Sequence, residues 1–326
     1  MKLSLFTLLL GLQNIPAHAN IEQGIIAFDN GNLPLSQKIF SQENDTSYEK
    51  YLYLAKIASA NGKPDDAEKY INEAIELSPQ NASLRFISAD ILAKQAEAGN
   101  VFSVMGYIKK VKKAFTAAVE LAPNNIEYRR VLIQFHINAP SLLGGDIDEA
   151  LKHAKVLKKL DVLSGTSALI QVYGQMENTE KFNEVLQVAL IEFADEPEFF
   201  FQLGIFYQQQ EHYDAALTYF RNAANMASAT DEQRQAKYSA IFQLGRTSIL
   251  SDSNFSEGEK ALTQYLNEAI ISADMPTKNW AKFRLANIVE AKGEKSAAVK
   301  LYNELVGDAA DKELQKQLVK RIKNLS

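Results

Sequence analysis

The chain has 326 residues, of which 46% are apolar and 23% are charged, and its formal net charge is -5. The sequence contains no cysteine, which excludes disulfides, zinc-thiolate sites and cysteine nucleophiles. The acidic balance disfavours nucleic-acid binding, because binding to a polyanion depends on concentrated lysine and arginine.

The first 19 residues have the pattern of a secretory signal peptide. They read MKLSLFTLLLGLQNIPAHA, with Lys2 near the start, an apolar stretch over residues 3–12, and small residues at the end. We expect cleavage after Ala19, which leaves Asn20 as the first mature residue in the periplasm or outside the cell. The apolar stretch is shorter than the roughly 20 residues that span a bilayer. No stable membrane span is therefore expected after cleavage, and a retained N-terminal anchor is the alternative.

Small residues recur at fixed spacings along the rest of the chain. Four pairs lie five residues apart, namely Gly31 and Ser36, Gly62 and Ala67, Gly145 and Ala150, and Gly293 and Ala298. Two helices approach closely only where a small side chain faces the partner helix. The spacing therefore predicts tandem helical hairpins with a repeat of about 34 residues.

Eight hairpins are predicted in chain order, and strand-like alternation is absent, so the expected class is all-α. The hairpins are placed at residues 17–46, 48–81, 82–125, 126–164, 166–198, 197–230, 231–270 and 279–312. The register of the third and fifth hairpins stays open. Extra residues near 97–106, 139–144 and 251–254 are expected to form surface loops. Residues 20–310 would form the array, and residues 311–326, with Leu314 and Leu318 at helical spacing, are expected to form a capping helix.

No pattern typical of a catalytic or metal site stands out. The histidines after the leader, His136, His153 and His212, are scattered over different hairpins, and a packed structural role is expected for His136. The loop at residues 139–146 contains Gly144-Gly145 but lacks the Gly-Lys-Ser or Gly-Lys-Thr sequence of a phosphate-binding loop. We expect Asp146 to cap the next helix instead. The chain is therefore predicted to have no cofactor and no metal, and to be no enzyme, with a hidden convergent site as the alternative.

A cluster of lysines lies in the second helix of the third hairpin. Lys109, Lys110, Lys112 and Lys113 are interrupted by apolar residues at helical spacing. We interpret this cluster as the solvated face of an amphipathic helix. Contact with membrane headgroups is the alternative.

The most regular hairpin reads EFFFQLGIFYQQQEHYDAALTYFRNAA from Glu198. It resembles the tetratricopeptide repeat, whose signature is matched in order by Leu203, Gly204, Tyr207, Tyr213, Ala216, Phe220 and Ala223. It departs from that signature at Phe200, where the family often has Trp, and at Ser228, where it often has Pro. The resemblance implies a right-handed α-solenoid. The segment APSLLGGDIDEA also resembles one in a group of bacterial envelope proteins of this family with undefined activity.

The resemblance also implies a binding face. In the family, the first helix of each hairpin lines a concave surface, and the fifth and ninth repeat positions meet the ligand. The fifth position falls on Phe201, Phe242 and Phe283, which are 41 residues apart. The ninth position falls on Ile205, Arg246 and Asn287. These six residues are the predicted partner-binding residues, and packing of the phenylalanines in the core is the alternative.

Two functions are consistent with these observations. The first is a non-enzymatic periplasmic or secreted scaffold that holds a peptide or a partner protein in the concave groove. The second is a small-molecule or lipid carrier, or a transport accessory, that uses the same groove as an apolar cavity.

Overall fold

A computed structural model describes residues 17–43, 46–98, 101–272, 274–307 and 311–325. Within these ranges the chain contains seventeen α-helices, one short 3-10 turn and no strand. No helix in the described ranges is long and apolar enough to cross a membrane. Residues 1–16 of the predicted signal peptide lie outside the described residues, and the first described helix begins at Ala17.

The helices pair in chain order, as the small-residue spacing predicts. Their bounds are α1 Ala17–Asp29, α2 Leu33–Gln42, α3 Tyr48–Ala60, α4 Pro64–Leu77, α5 Ala82–Ala98, α6 Val101–Leu121, α7 Ile126–Asn138, α8 Ile147–Leu160, α9 Val162–Gln175, α10 Thr179–Glu192, α11 Pro197–Gln209, α12 Tyr213–Asn225, α13 Asp231–Leu250, α14 Phe255–Glu268, α15 Lys278–Ala291, α16 Lys295–Val306 and α17 Lys312–Leu325. The predicted all-α class, a series of helical hairpins as in an α-solenoid, is confirmed.

The chain divides into two compact units, one up to Ala168 and one from Leu169 onward. In the N-terminal unit, the predicted small positions are the places where helices cross. Ala67, Ala74 and Ala150 are fully buried. Ser36 is also fully buried, and its hydroxyl donates a hydrogen bond to the carbonyl of Gly24 at 2.8 Å. Small side chains at these positions let the helices of a hairpin touch along their backbones.

Glycines serve the same purpose in the C-terminal unit. A Cβ atom added to Gly204 would lie 2.4 Å from the ring of Phe220, and one added to Gly245 would lie 2.3 Å from Leu262. Phe220 and Leu262 are themselves fully buried. The bulky residue of the second helix therefore fills the space that glycine leaves on the first, which is the close packing expected of protein interiors.

The turns inside the hairpins need one residue in the left-handed backbone region. Gly31, Gly62 and Gly293 hold this position with φ between 69° and 86°. In the fifth and sixth hairpins the same position is held by glutamates, Glu177 with φ 55° and Glu211 with φ 60°. A residue with a Cβ is disfavoured in this region, whereas glycine is not.

Of the three stretched segments, residues 139–144 and 251–254 lie outside the α-helices, as expected of loops, whereas the described part of residues 97–106 is helical. The extra residues of the third hairpin lengthen α5 to 17 residues and α6 to 21, with residues 99 and 100 between them outside the described ranges. The seventh hairpin is long because α13 has 20 residues. The prediction of a loop over residues 97–106 is thus wrong, because α5 extends to Ala98 and α6 already begins at Val101. The segment near residue 141 does form a turn, Ser141–Leu143.

The last helix, α17, packs on the preceding hairpin. Leu314 and Leu318 are fully buried in a cluster with Phe283 of α15 and Tyr302 of α16. Ile322 and Leu325 of α17 pack against the same cluster, so the apolar side of α17 shields the eighth hairpin from solvent.

Candidate functional site

The three fifth-position phenylalanines lie on α11, α13 and α15. Phe242 is 5% exposed and Phe283 is fully buried, while Phe201 is half-buried. Each ring contacts an aromatic ring on the second helix of its own hairpin. The centroid distances are 6.2 Å for Phe201 and Phe220, 5.5 Å for Phe242 and Tyr265, and 5.6 Å for Phe283 and Tyr302.

These contacts place Phe242 and Phe283 in the core of their own hairpins. Phe242 and Phe283 do not form part of an accessible aromatic stripe, because burial between two helices removes their rings from solvent. Packing of the phenylalanines in the core is the alternative that the sequence left open. Phe201 and the neighbouring Ile205 keep part of their surface exposed, so their role in partner binding stays a prediction.

The ninth-position residues lie in polar surroundings. Arg246 is half-buried, and its Nη1 donates to Oε1 of Gln208 at 2.9 Å and to Oε1 of Gln243 at 3.4 Å. The Nε2 of Gln208 in turn donates to Thr247 at 2.7 Å. This network joins α11 to α13 through uncharged partners, so the positive charge of Arg246 is solvated by amides and is not neutralised by them.

A second arginine, Arg284, lies on the first helix of the next hairpin. Its guanidinium carbon is 5.4 Å from the ring centroids of both Trp280 and Phe283. Burial, together with the charges of Arg246 and Arg321, lowers the pKa of Arg284 to about 10. The surroundings of Arg284 therefore make its positively charged form less favourable than it is in water.

The hydrogen bonding of Arg284 is incomplete. Nη1 donates to Oδ1 of Asn287 at 3.3 Å, and Nε is buried without a partner among the described atoms. Within the described part of the chain, neither Arg246 nor Arg284 forms an ion pair with a carboxylate. A buried donor without a partner costs free energy, about 1–3 kcal/mol, unless something else satisfies it.

The predicted residue Asn287 has a structural role. It is 3% exposed, and its Nδ2 donates to the hydroxyl of Tyr302 at 2.6 Å. Tyr302 donates to Glu290 at 2.6 Å, and Glu290 accepts from Arg321 of α17 at 3.1 Å. Burial and the hydrogen bond to Glu290 raise the pKa of Tyr302 above its ordinary value, so the hydroxyl stays a donor. Asn287 thus belongs to a network that ties α15, α16 and α17 together.

We call the surface formed by Gln208, Gln243, Arg246 and Arg284 the arginine face. It lies on the first helices of consecutive hairpins, α11, α13 and α15, which pack against one another in chain order. Its two arginines lack carboxylate partners among the described residues, and aromatic rings flank one of them. Such a surface can bind an anionic group by charge-assisted hydrogen bonds.

Of the predicted residues, only Arg246 lies in the arginine face itself. The sequence did not predict a role for Arg284, because the fifth repeat position was assigned to the preceding residue, Phe283. A signal did exist, since Gln243 and Arg284 follow the aligned phenylalanines directly and are 41 residues apart.

The remaining polar features have structural roles. Lys110 pairs with Glu68 at 2.7 Å, and Lys112 donates to the carbonyl of Gly144 at 3.0 Å, so part of the basic cluster joins neighbouring elements. Asp146 caps α8 by accepting from the amides of Asp148 and Glu149, as expected. Among the described residues, no group of three His, Asp or Glu side chains is placed to hold a metal ion.

Comparison with known proteins places the fold. Two family models described as tetratricopeptide repeat match residues 52–100 and 197–230. These ranges cover the second and sixth hairpins almost completely. No curated protein sequence matches the chain.

Among solved structures, yeast Tom70 matches with a TM-score of 0.61 at 16% sequence identity and covers 98% of this chain. This chain spans 66% of the length of that structure. TTC0263, a thermophilic protein of Thermus thermophilus, has a TM-score of 0.43 at 15% identity and covers 69% of this chain and 99% of its own. At 16% identity the similarity to Tom70 concerns the fold alone, and the similarity to TTC0263 is too weak to support a conclusion.

These observations define a protein of tandem helical hairpins, in which the first helices α11, α13 and α15 of consecutive hairpins pack against one another. The family models and the signature residues both identify the type of hairpin as the tetratricopeptide repeat, and the fold is consistent with it. The chain therefore contains tetratricopeptide repeats, at residues 52–100 and 197–230.

Proposed function

We propose that the chain is a non-enzymatic scaffold that binds a segment of a partner protein along the arginine face. The observation that carries this proposal is the pair Arg246 and Arg284, two half-buried cations on adjacent helices without a described carboxylate partner. An acidic side chain of the partner would supply the missing counter-charge. Tetratricopeptide repeats with this kind of polar first-helix surface suit a peptide backbone better than a lipid tail.

The carrier function receives less support from the side chains. It needs an apolar groove, and the phenylalanines expected to form that groove at positions 242 and 283 are buried in their own hairpins. The residues that remain on the face are amides and arginines, which are costly to desolvate against a hydrocarbon chain.

Arg284→Gln is expected to weaken partner binding about tenfold or more, because it removes a partly desolvated charge from the arginine face. Arg246→Gln should have an effect of the same size. Partners would be captured in the native host with a photo-crosslinking amino acid at Gln243, identified by mass spectrometry, and their affinities measured with purified proteins.

Arg234→Gln is the matched control. Arg234 lies on the same helix as Arg246 and is paired with Asp231, so this variant makes the same change in net charge away from the face. It should bind normally. Because burial and like charges oppose the cation of Arg284, Arg284→Gln should melt no lower than the wild type. Equal losses of affinity in all three variants would contradict the proposal.

We also propose that the protein acts in the periplasm or outside the cell after removal of residues 1–19. The leader sequence supports this proposal, with a basic start, a short apolar stretch and a small-residue end. Amino-terminal sequencing of the protein from its native host is expected to read Asn20 first. A chain that begins at Met1 in a membrane fraction would instead support the retained anchor.

A further inference from the structure

A pocket of about 290 Å³ lies between the turns of the fifth and sixth hairpins, within the C-terminal unit. Its walls include four aromatic side chains, from Tyr173, Phe182, Phe206 and Tyr207, and Glu177 also lines it. His212 also lines the pocket, and none of the lining residues is a lysine or an arginine. The nearby Lys181 is engaged with Glu184 at 2.6 Å.

The rings form a connected wall. Phe206 contacts Phe182 with a centroid distance of 5.7 Å and Tyr207 with a distance of 5.2 Å. The ring of Tyr207 is stacked on Tyr219 at 5.2 Å, which fixes its orientation. A Cβ atom at Gly174 would lie 2.5 Å from Phe206, so the glycine is what lets this ring approach α9.

The backbone of Glu177 is in the left-handed region. Glu177 holds the left-handed turn position that glycine holds in three other hairpins, with φ 55°. The fold alone favours glycine there, because a Cβ is disfavoured at positive φ. Because Glu177 lines the pocket, its exposed side chain adds a negative charge near the aromatic rings.

We propose that this pocket binds a basic side chain, lysine or arginine, of a partner protein. Aromatic ring faces attract ammonium and guanidinium groups, and the attraction grows as water is excluded. The carboxylate of Glu177 supplies the counter-charge at the entrance. The pocket uses none of the residues of the arginine face, so the two proposals succeed or fail separately.

The test is an NMR titration of the full chain, followed at the backbone amides of Gly174 and Phe182. The probes are the Nα-acetyl amides of arginine and lysine, with the norleucine derivative as the uncharged equivalent and choline chloride as a non-protein cation, all at one ionic strength. We expect saturable shifts with the arginine or lysine derivative and affinities at least threefold weaker with norleucine.

Glu177→Gly separates binding from stability. The variant should bind the basic probes about threefold to fivefold more weakly, as expected for the loss of a partly exposed counter-charge. It should also melt at a higher temperature, because glycine relieves the backbone at φ 55°. Lower affinity in a more stable protein cannot result from unfolding.

Glu211→Gly is the matched control. Glu211 has the same charge and nearly the same backbone, φ 60°, but does not line the pocket. It should raise the melting temperature and leave the affinity unchanged. Equal losses of affinity in the two variants would show that only net charge matters and would overturn the proposal. So would equal binding of norleucine, or binding of choline without binding of the arginine and lysine derivatives.

Discussion

Leu318→Ala is expected to lower the free energy of unfolding of the C-terminal hairpin by about 2–5 kcal/mol, the usual cost of removing a fully buried leucine. Leu318 is 0% exposed and belongs to the cluster that contains Phe283, Tyr302 and Leu314. In the described chain, the side of this cluster that faces away from the other hairpins is shielded by α17. A cavity at Leu318 therefore weakens the packing of α17 on the eighth hairpin.

The chain provides both a local reporter and a control for this prediction. Trp280, the only tryptophan, packs against the same cluster, so its fluorescence during a urea titration follows this hairpin. Val319 is the next residue of α17 and is 58% exposed. Val319→Ala should change the stability by less than about 0.5 kcal/mol. Similar effects of the two substitutions would mean that α17 does not stabilise the hairpin through its buried leucines.

The positions of the hairpins could be predicted from the sequence because small residues mark helix crossings. Ala67 and Ala216 are fully buried where the repeat spacing places them. A short side chain at a crossing is required by sterics whatever the neighbouring residues are, so this signal depends little on context. The 41-residue spacing of the aligned phenylalanines is equally real, and all three rings do occupy equivalent places.

What these rings face could not be derived from the same pattern. A phenylalanine at helical spacing contacts either a ligand or the second helix, and the partner ring decides which. For Phe242 that partner is Tyr265, which is fully buried on α14. Its presence follows from the angle at which two helices cross, and the sequence period does not determine that angle.

The lowered pKa of Arg284 depends on residues that are distant in the sequence, so no local motif indicates it. The two arginines that lower its pKa, Arg246 and Arg321, are more than 35 residues away on either side in the sequence. Only the packing of α13, α15 and α17 brings the three charges together. Spacing rules work within one helix or one hairpin, so they could not have predicted this cluster.

The local stability of the fourth hairpin is expected to fall as the pH drops from 7.5 to 5. In the N-terminal unit, the rings of His136 and His153 are stacked at 6.2 Å, and Arg129 donates from Nη1 to Nδ1 of His153 at 2.9 Å. An arginine can only donate, so Nδ1 of His153 must be the unprotonated nitrogen. Protonation at Nδ1 would place the N–H groups of His153 and Arg129 opposite each other, and it would add a second positive charge next to the buried Arg129.

The pKa directions agree with this geometry. Burial is the main cause that lowers the pKa of His136, and Lys112 lowers it further, against opposing effects of Asp146 and Glu149. Burial and then Arg129 and His136 lower the pKa of His153, with Glu149 opposing and Lys152 assisting. Both histidines therefore take up protons more readily in the unfolded chain. Stability is complete above the unfolded pKa of about 6.5 and is lost as the pH falls below it.

Hydrogen exchange of the α7 and α8 amides, corrected for the intrinsic effect of pH on exchange, measures this loss directly. The α13 and α14 amides, which belong to the C-terminal unit, are the internal reference. His153→Gln keeps an oxygen that can accept from Arg129 but cannot gain a proton in this range, so it should flatten the pH dependence while leaving protection at pH 7.5 nearly unchanged. If the slope between pH 7.5 and pH 5 is the same in this variant and in His136→Phe as in the wild type, the histidine pair is not its cause.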